Sequence, residues 1–233
     1  LYPDDLQARL RLLRETQVTA DEFILTDSHR VGLWDGENER LVRRPLAIGD
    51  TGSLFEFLDW MISPSSNAAA AICAKHAVLL RQFGRNYPVP AERAAAFLEQ
   101  APAEELRGLL AKTLQEPVTR NGLDVSKLRQ GSLFTRTGKR LLPGTTSYAT
   151  PRELVRLMWR MEQGRLVDRF SSMELKRLMY MTERRIRYAS SPALRDAAVY
   201  FKSGSLYRCR PEPGYRCLKY RGNELNLLNS IAI

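Results

Sequence analysis

The feature that most constrains this chain is a change of hydrophobic period near its end. From Thr51 to Ala197 the apolar residues recur mainly at helical spacing, whereas from Ala198 onward they alternate. Val199 and Phe201 fall on one face there and Tyr200 and Lys202 on the other, before Gly204. Successive strand side chains point to opposite faces, while helical side chains three and four apart share one. A long helical block followed by antiparallel strands predicts an α+β or layered α/β architecture.

Local signals place the helices. Leu6, Leu10 and Leu13 predict one over Asp5 to Glu15. Ser53-Leu54-Phe55-Glu56 is a capping box, in which Ser and Glu satisfy two backbone donors that a helix start leaves unbonded. The helix it opens ends at Ser63-Pro64, because proline disfavours helical geometry in the residue before it. Further helices are expected over Asn67 to Phe83, Ala91 to Gln100 and Ala103 to Leu114. Thr150-Pro151-Arg152-Glu153 starts another, which Gly164 stops, and Ser171-Ser172 opens the next. Leu206 to Cys209 and Cys217 to Tyr220 read as hairpin arms, and the mostly apolar Leu225 to Ile233 as a central strand. The segment from Ala20 to Asp50 has no clear assignment.

Composition excludes little. With 44% hydrophobic and 27% charged residues the chain is an ordinary globular one, and no apolar run reaches the roughly 20 residues of a membrane span. The formal charge of +10 is scattered, without interleaved aromatics, and points to solvated surface rather than nucleic acid. His29 and His76 lack companions at metal-ligand spacing, so neither a metal nor another cofactor is expected. Cys209 and Cys217 flank Pro211-Glu212-Pro213-Gly214, strong turn chemistry, and can approach each other across a hairpin. A disulfide there suits an oxidising compartment, while two free thiols suit a cytosolic one. Cys73, in an alanine-rich run, reads as a small buried apolar residue. Leu1-Tyr2-Pro3-Asp4-Asp5 does not read as a signal peptide, and both termini read as cut.

Two short motifs carry the chemistry. Ser65-Ser66-Asn67 lies between two helices, and Lys202-Ser203-Gly204 ends a strand and leads into Ser205. In their order and setting they resemble the Ser-x-Asn and Lys-(Ser/Thr)-Gly motifs of the serine β-lactamases and penicillin-binding proteins. The Thr150-Pro151 helix also resembles the one preceding that family's Lys-(Ser/Thr)-Gly strand. The resemblance implies a β-lactamase/transpeptidase-like fold, in which residues 51–197 form a helical subdomain and residues 1–50 with 198–233 an α/β subdomain. Their antiparallel sheet is flanked by helices.

By the same resemblance, Ser65 relays a proton and Lys202 eases the transient negative charge on it. Asn67 bonds the substrate's side-chain amide, and Ser203 with Lys202 holds a carboxylate. Gly204 lets substrate approach the backbone, and the Ser205 N–H is one arm of the oxyanion hole. The implied function is a serine hydrolase acting through an acyl-enzyme on a β-lactam or a peptidoglycan-like amide, in the periplasm or outside a bacterial cell. The alternative is a catalytically inactive relative that binds or scaffolds.

The sequence departs from the family's pattern at two places. The nucleophile's Ser-x-x-Lys occurs nowhere in the 233 residues and is expected upstream of Leu1. The deacylating glutamate of the class A enzymes has no counterpart from Gly131 to Pro143, a stretch without a single carboxylate. A long-lived acyl-enzyme is therefore expected. The separation of 137 positions from Ser65 to Lys202 exceeds the compact class A spacing, and the Ala91–Leu114 helices account for the excess.

Overall fold

The computed structural model describes residues 5–183 and 185–233, so the first four residues and Arg184 lie outside the account that follows. Helix α1 (Leu6–Glu15) is capped by the Asp5 carboxylate, which accepts from the Ala8 N–H. It runs into β1 (Gln17–Thr19), then a single 3-10 turn, Glu22–Ile24, and the hairpin β2 (Arg30–Asp35) and β3 (Arg40–Pro45). Strand β4 (Thr51–Ser53) returns antiparallel to β1. These strands resolve the segment from Ala20 to Asp50, where short apolar runs and turn residues gave the sequence no clear period.

Helix α2 (Leu54–Ile62) starts at the expected capping box, with Ser53 and Glu56 bonding each other's backbone N–H. Helix α3 (Asn67–Phe83) ends at Gly84, whose φ of 56° suits glycine. Its alanines are buried against α2, the 3-10 turn and α5, which gives a core around Phe23, Phe57, Ile72, Leu79 and Leu110. Helices α4 (Ala91–Gln100) and α5 (Ala103–Arg120) follow. The second continues past the expected end near Leu114, through Pro117. A proline removes one intrahelical donor, and the buried Leu106, Leu110 and Thr113 anchor the helix that carries it.

Short strands β5 (Leu128–Arg129) and β6 (Tyr148–Ala149) pair across a loop holding helix α6 (Arg136–Leu141). Helix α7 (Pro151–Glu162) has Thr150 as its cap and stops before Gly164, at φ 70°. Its buried Glu153 accepts from the Asp124 N–H at 2.8 Å and pairs with Arg156. Helix α8 (Arg169–Tyr180) starts two residues before Ser171, because the Asp168 carboxylate provides the cap.

The terminal hairpin corrects two expectations. Strand β7 (Phe201–Arg208) pairs antiparallel with β8 (Leu225–Ala232), so the second arm is not the Cys217–Tyr220 stretch. That stretch belongs to the irregular connection, whose cysteines are joined in a disulfide. Among the described residues β8 pairs with β7 alone, and Leu227 and Leu228 are half exposed rather than central. Phe201 and Val199 are buried as the alternation requires. The result is mixed helix and sheet, as expected. No helix of the described residues is long and apolar enough to cross a membrane.

Candidate active site

The Ser65–Asn67 turn is pinned from both sides. At the end of α2, the Ser63 hydroxyl accepts from the Glu183 N–H at 3.1 Å, and the Thr182 hydroxyl donates to the Ser63 carbonyl at 3.3 Å. Pro64 then ends the helix and Ser65 takes φ 63°, a left-handed conformation that costs a residue with a side chain about 1 kcal/mol. The turn divides the labour of its two serines. Ser66 caps α3, accepting from the Ala69 N–H at 3.1 Å and donating to Asp27 at 3.0 Å. Ser65 is left to face the strand opposite.

That strand is β7. Lys202 donates from Nζ to the Ser65 Oγ at 2.6 Å and to the Ser203 carbonyl at 2.7 Å. No carboxylate pairs with it among the described residues. Burial therefore depresses the ammonium from its usual 10.5 to about 8. At neutral pH it is still mostly a cation.

The β7 backbone follows from the ladder. Tyr200 and Ile233 exchange both backbone bonds at 3.0 Å. Bonded and unbonded pairs alternate along an antiparallel ladder, so Ser203 and Ser205 turn their N–H and C=O away from β8. Ser203 and Gly204 also line the cleft. A methyl group built on Gly204 would meet no protein atom within 4 Å, so packing does not demand the glycine. The Ser205 hydroxyl accepts from Arg187 at 2.9 Å, and that guanidinium also donates to the Asn229 carbonyl of β8 at 2.7 Å.

These groups line a cleft of about 850 Å3. One wall is β7 and the connection after it, including Lys219 and Tyr220. Ser65, Asn67, His29 and Lys139 also line the cleft. Helix α6, which carries Lys139, is tied to the 3-10 turn region. Thr135 donates to the Phe23 carbonyl, and the Arg136 N–H donates to Thr26 at 3.0 Å. None of the lining residues is Asp or Glu. The loop from Gly131 to Pro143 contributes Ser132, Leu133, Phe134 and Lys139.

Two residues outside the motifs shape this site. Asp27 is nearly inaccessible, and its Oδ2 accepts from Ser66 and from the Ala68 N–H at 2.8 Å. Its Oδ1 takes the His29 Nδ1–H at 2.6 Å. Burial alone would raise the Asp27 carboxyl, but the bonds from His29 and Ala68 outweigh it and hold the group below the usual 3.8. No sequence signal marks this pairing, because the helix that Asp27 caps lies some 40 residues away. The other histidine is structural. His76 Nδ1 bonds the Tyr87 hydroxyl at 2.7 Å, and burial depresses it to about 3. Cys73 is likewise inert, its thiol pushed up to about 12 by burial. The described residues hold no cluster of three or more metal-ligating side chains.

A family model described as "Beta-lactamase enzyme family" matches residues 105–215, which take in the Thr150-Pro151 helix and Lys202-Ser203-Gly204. No curated protein matches. Among solved structures, the chain is similar to a β-lactamase from Chitinophaga pinensis at 17% identity and a TM-score of 0.46. That alignment covers 87% of this chain and 59% of the other. A class A β-lactamase representative from Bacteroides cellulosilyticus is similar at 18% identity and a TM-score of 0.43, with coverages of 83% and 54%. The chain thus spans less than two thirds of either solved structure.

Proposed function

We propose that this chain is serine-β-lactamase-like and that it carries the proton-relay and substrate-holding half of an acyl-transfer site for amides bearing a carboxylate. β-Lactams and peptidoglycan-type peptides are the substrates in view, and the compartment is periplasmic or extracellular. The observation carrying this reading is the hydrogen bond from Lys202 to Ser65, inside a cleft without a lining carboxylate. A buried ammonium with no counter-ion is costly unless it meets charge that arrives with a ligand or develops in a reaction. Lys202 answers both needs. It holds the incoming carboxylate together with the Ser203 hydroxyl, and it stabilises Ser65 as that hydroxyl passes a proton.

In this reading the attacking serine belongs to a Ser-x-x-Lys segment outside residues 1–233. It adds to the amide carbonyl, and the oxyanion is met by the Ser205 N–H at the open edge of β7. As the C–N bond breaks, the leaving nitrogen takes its proton from the Ser65 hydroxyl, and Ser65 is reprotonated with the proton that the attacking serine gave up on addition. Asn67 bonds the substrate's side-chain amide. Ser65, Lys202 and Ser205 are thus the catalytic groups, and Asn67, Ser203 and Gly204 the substrate-binding ones. Incubating the complete protein with a fluorescent penicillin and measuring its intact mass tests the reading. An adduct of the drug's mass, lost on Lys202→Ala, is the expected result. No adduct would favour the inactive, ligand-binding relative instead.

A further inference from the structure

We propose that His29, oriented by Asp27, is the base that activates water to release the acyl group, in place of the carboxylate that this cleft lacks. The inference rests on the acyl-enzyme reading above. Among the described residues no Asp or Glu lines the cleft. Lys202 donates to both Ser65 and the Ser203 carbonyl, and so keeps its proton at the relay. Lys139 and Lys219 are exposed lysines. His29 remains, and the lone pair of a neutral imidazole can take a proton from water.

Its geometry suits proton transfer. An ionised carboxylate can only accept, so the 2.6 Å contact with Asp27 puts the proton on Nδ1 and leaves the lone pair on Nε2. Nε2 has no hydrogen-bond partner among the described residues. Asp27 is itself fixed by Ser66 and the Ala68 N–H, so the imidazole is braced against the turn that carries Ser65 and Asn67. A base held by a buried carboxylate is the arrangement that orients imidazole in other hydrolases.

The step balances. Water adds to the ester carbonyl as Nε2 takes one of its protons, with Asp27 stabilising the imidazolium. The tetrahedral intermediate then collapses, the bond from carbon to the serine oxygen breaks, and the imidazolium returns the proton to that oxygen. Acid and free serine result, with no other reactant.

The test uses the complete protein, labelled with benzylpenicillin and followed by intact mass as the adduct decays. General-base assistance contributes about 10²–10⁴-fold, so His29→Ala should slow release by at least tenfold more than it slows acylation. Added imidazole should restore part of the loss. His29→Gln, which keeps an amide donor for Asp27 but cannot take a proton, should behave as the alanine variant does and melt as the parent does. If the parent labels and both variants release at its rate, or if imidazole rescues nothing, the inference is wrong while the acyl-enzyme reading stands. If the parent forms no adduct, the reading fails and the inference falls with it.

Discussion

Replacing Lys202 by methionine should abolish acylation and yet stabilise the protein at neutral pH. The fall of the ammonium from 10.5 to about 8 corresponds to about 3 kcal/mol of unfavourable burial at pH 7. Methionine has a similar shape and needs no solvation. It forfeits the bonds to Ser65 and the Ser203 carbonyl, each with a net value of about 1 kcal/mol. The remainder, about 1 kcal/mol, is a rise in Tm of roughly 2–4 °C for a domain of this size. The pH dependence separates this cause from generic repacking. Between about pH 8 and 10.5 the unfolded lysine holds a proton that the folded one has released, so the parent gains stability as pH rises through that window. The variant's advantage should therefore shrink there. Urea unfolding at pH 7, 9 and 10 measures it. A variant less stable than the parent at pH 7, or one whose advantage does not change with pH, would refute the reasoning.

The carboxylate site should weaken as Lys202 loses its proton, so inhibition by carboxylate-bearing amides should fall above about pH 8, measured as competition against fluorescent penicillin. Asp27→Asn should weaken the α3 cap by about 1–3 kcal/mol in thermal unfolding. Because the folded Asp27 lies below its usual 3.8, the stability it contributes is present above that value and is lost as pH falls through the folded one; the variant should lack this acid-side loss. Cys209→Ser with Cys217→Ser opens a cross-link of sequence separation 8, for which chain entropy suggests about 2–3 kcal/mol. The local melting it causes should appear as faster hydrogen exchange from Arg210 to Asn223, including Lys219 and Tyr220 at the cleft.

Elements fixed by neighbouring residues were legible in the sequence. The Ser53–Glu56 box, the Gly84 stop, the Thr150 cap and the alternation through Phe201 are each set within a few positions. The two motifs were legible as well, and the fold brings Ser65 and Lys202 into hydrogen-bond contact across 137 residues. What the sequence did not reveal depends on long-range partners. The second arm of the hairpin was sought at Cys217, the nearest apolar run, yet β7 pairs with the run beyond the disulfide loop. Which serine of the turn caps α3 depends on Ser65 adopting φ 63°, and neither residue type announces that. Asp27 and His29 carried no signal because their roles come from packing against α3. His29 has neither metal-ligand spacing nor a nucleophile-elbow context in the sequence.

The account's central claim is that the Lys202–Ser65 pair drives acyl transfer, while release rests on a single imidazole, without a carboxylate base, and is the slower half. Stopped-flow mixing of the complete protein with a chromogenic cephalosporin measures both halves together. The predicted record is a burst near one equivalent followed by slow turnover, with the burst lost in Lys202→Ala. Turnover above about 10 s⁻¹, the median for enzymes, would contradict slow release. A burst of equal rate in Lys202→Ala would contradict the role of the pair itself.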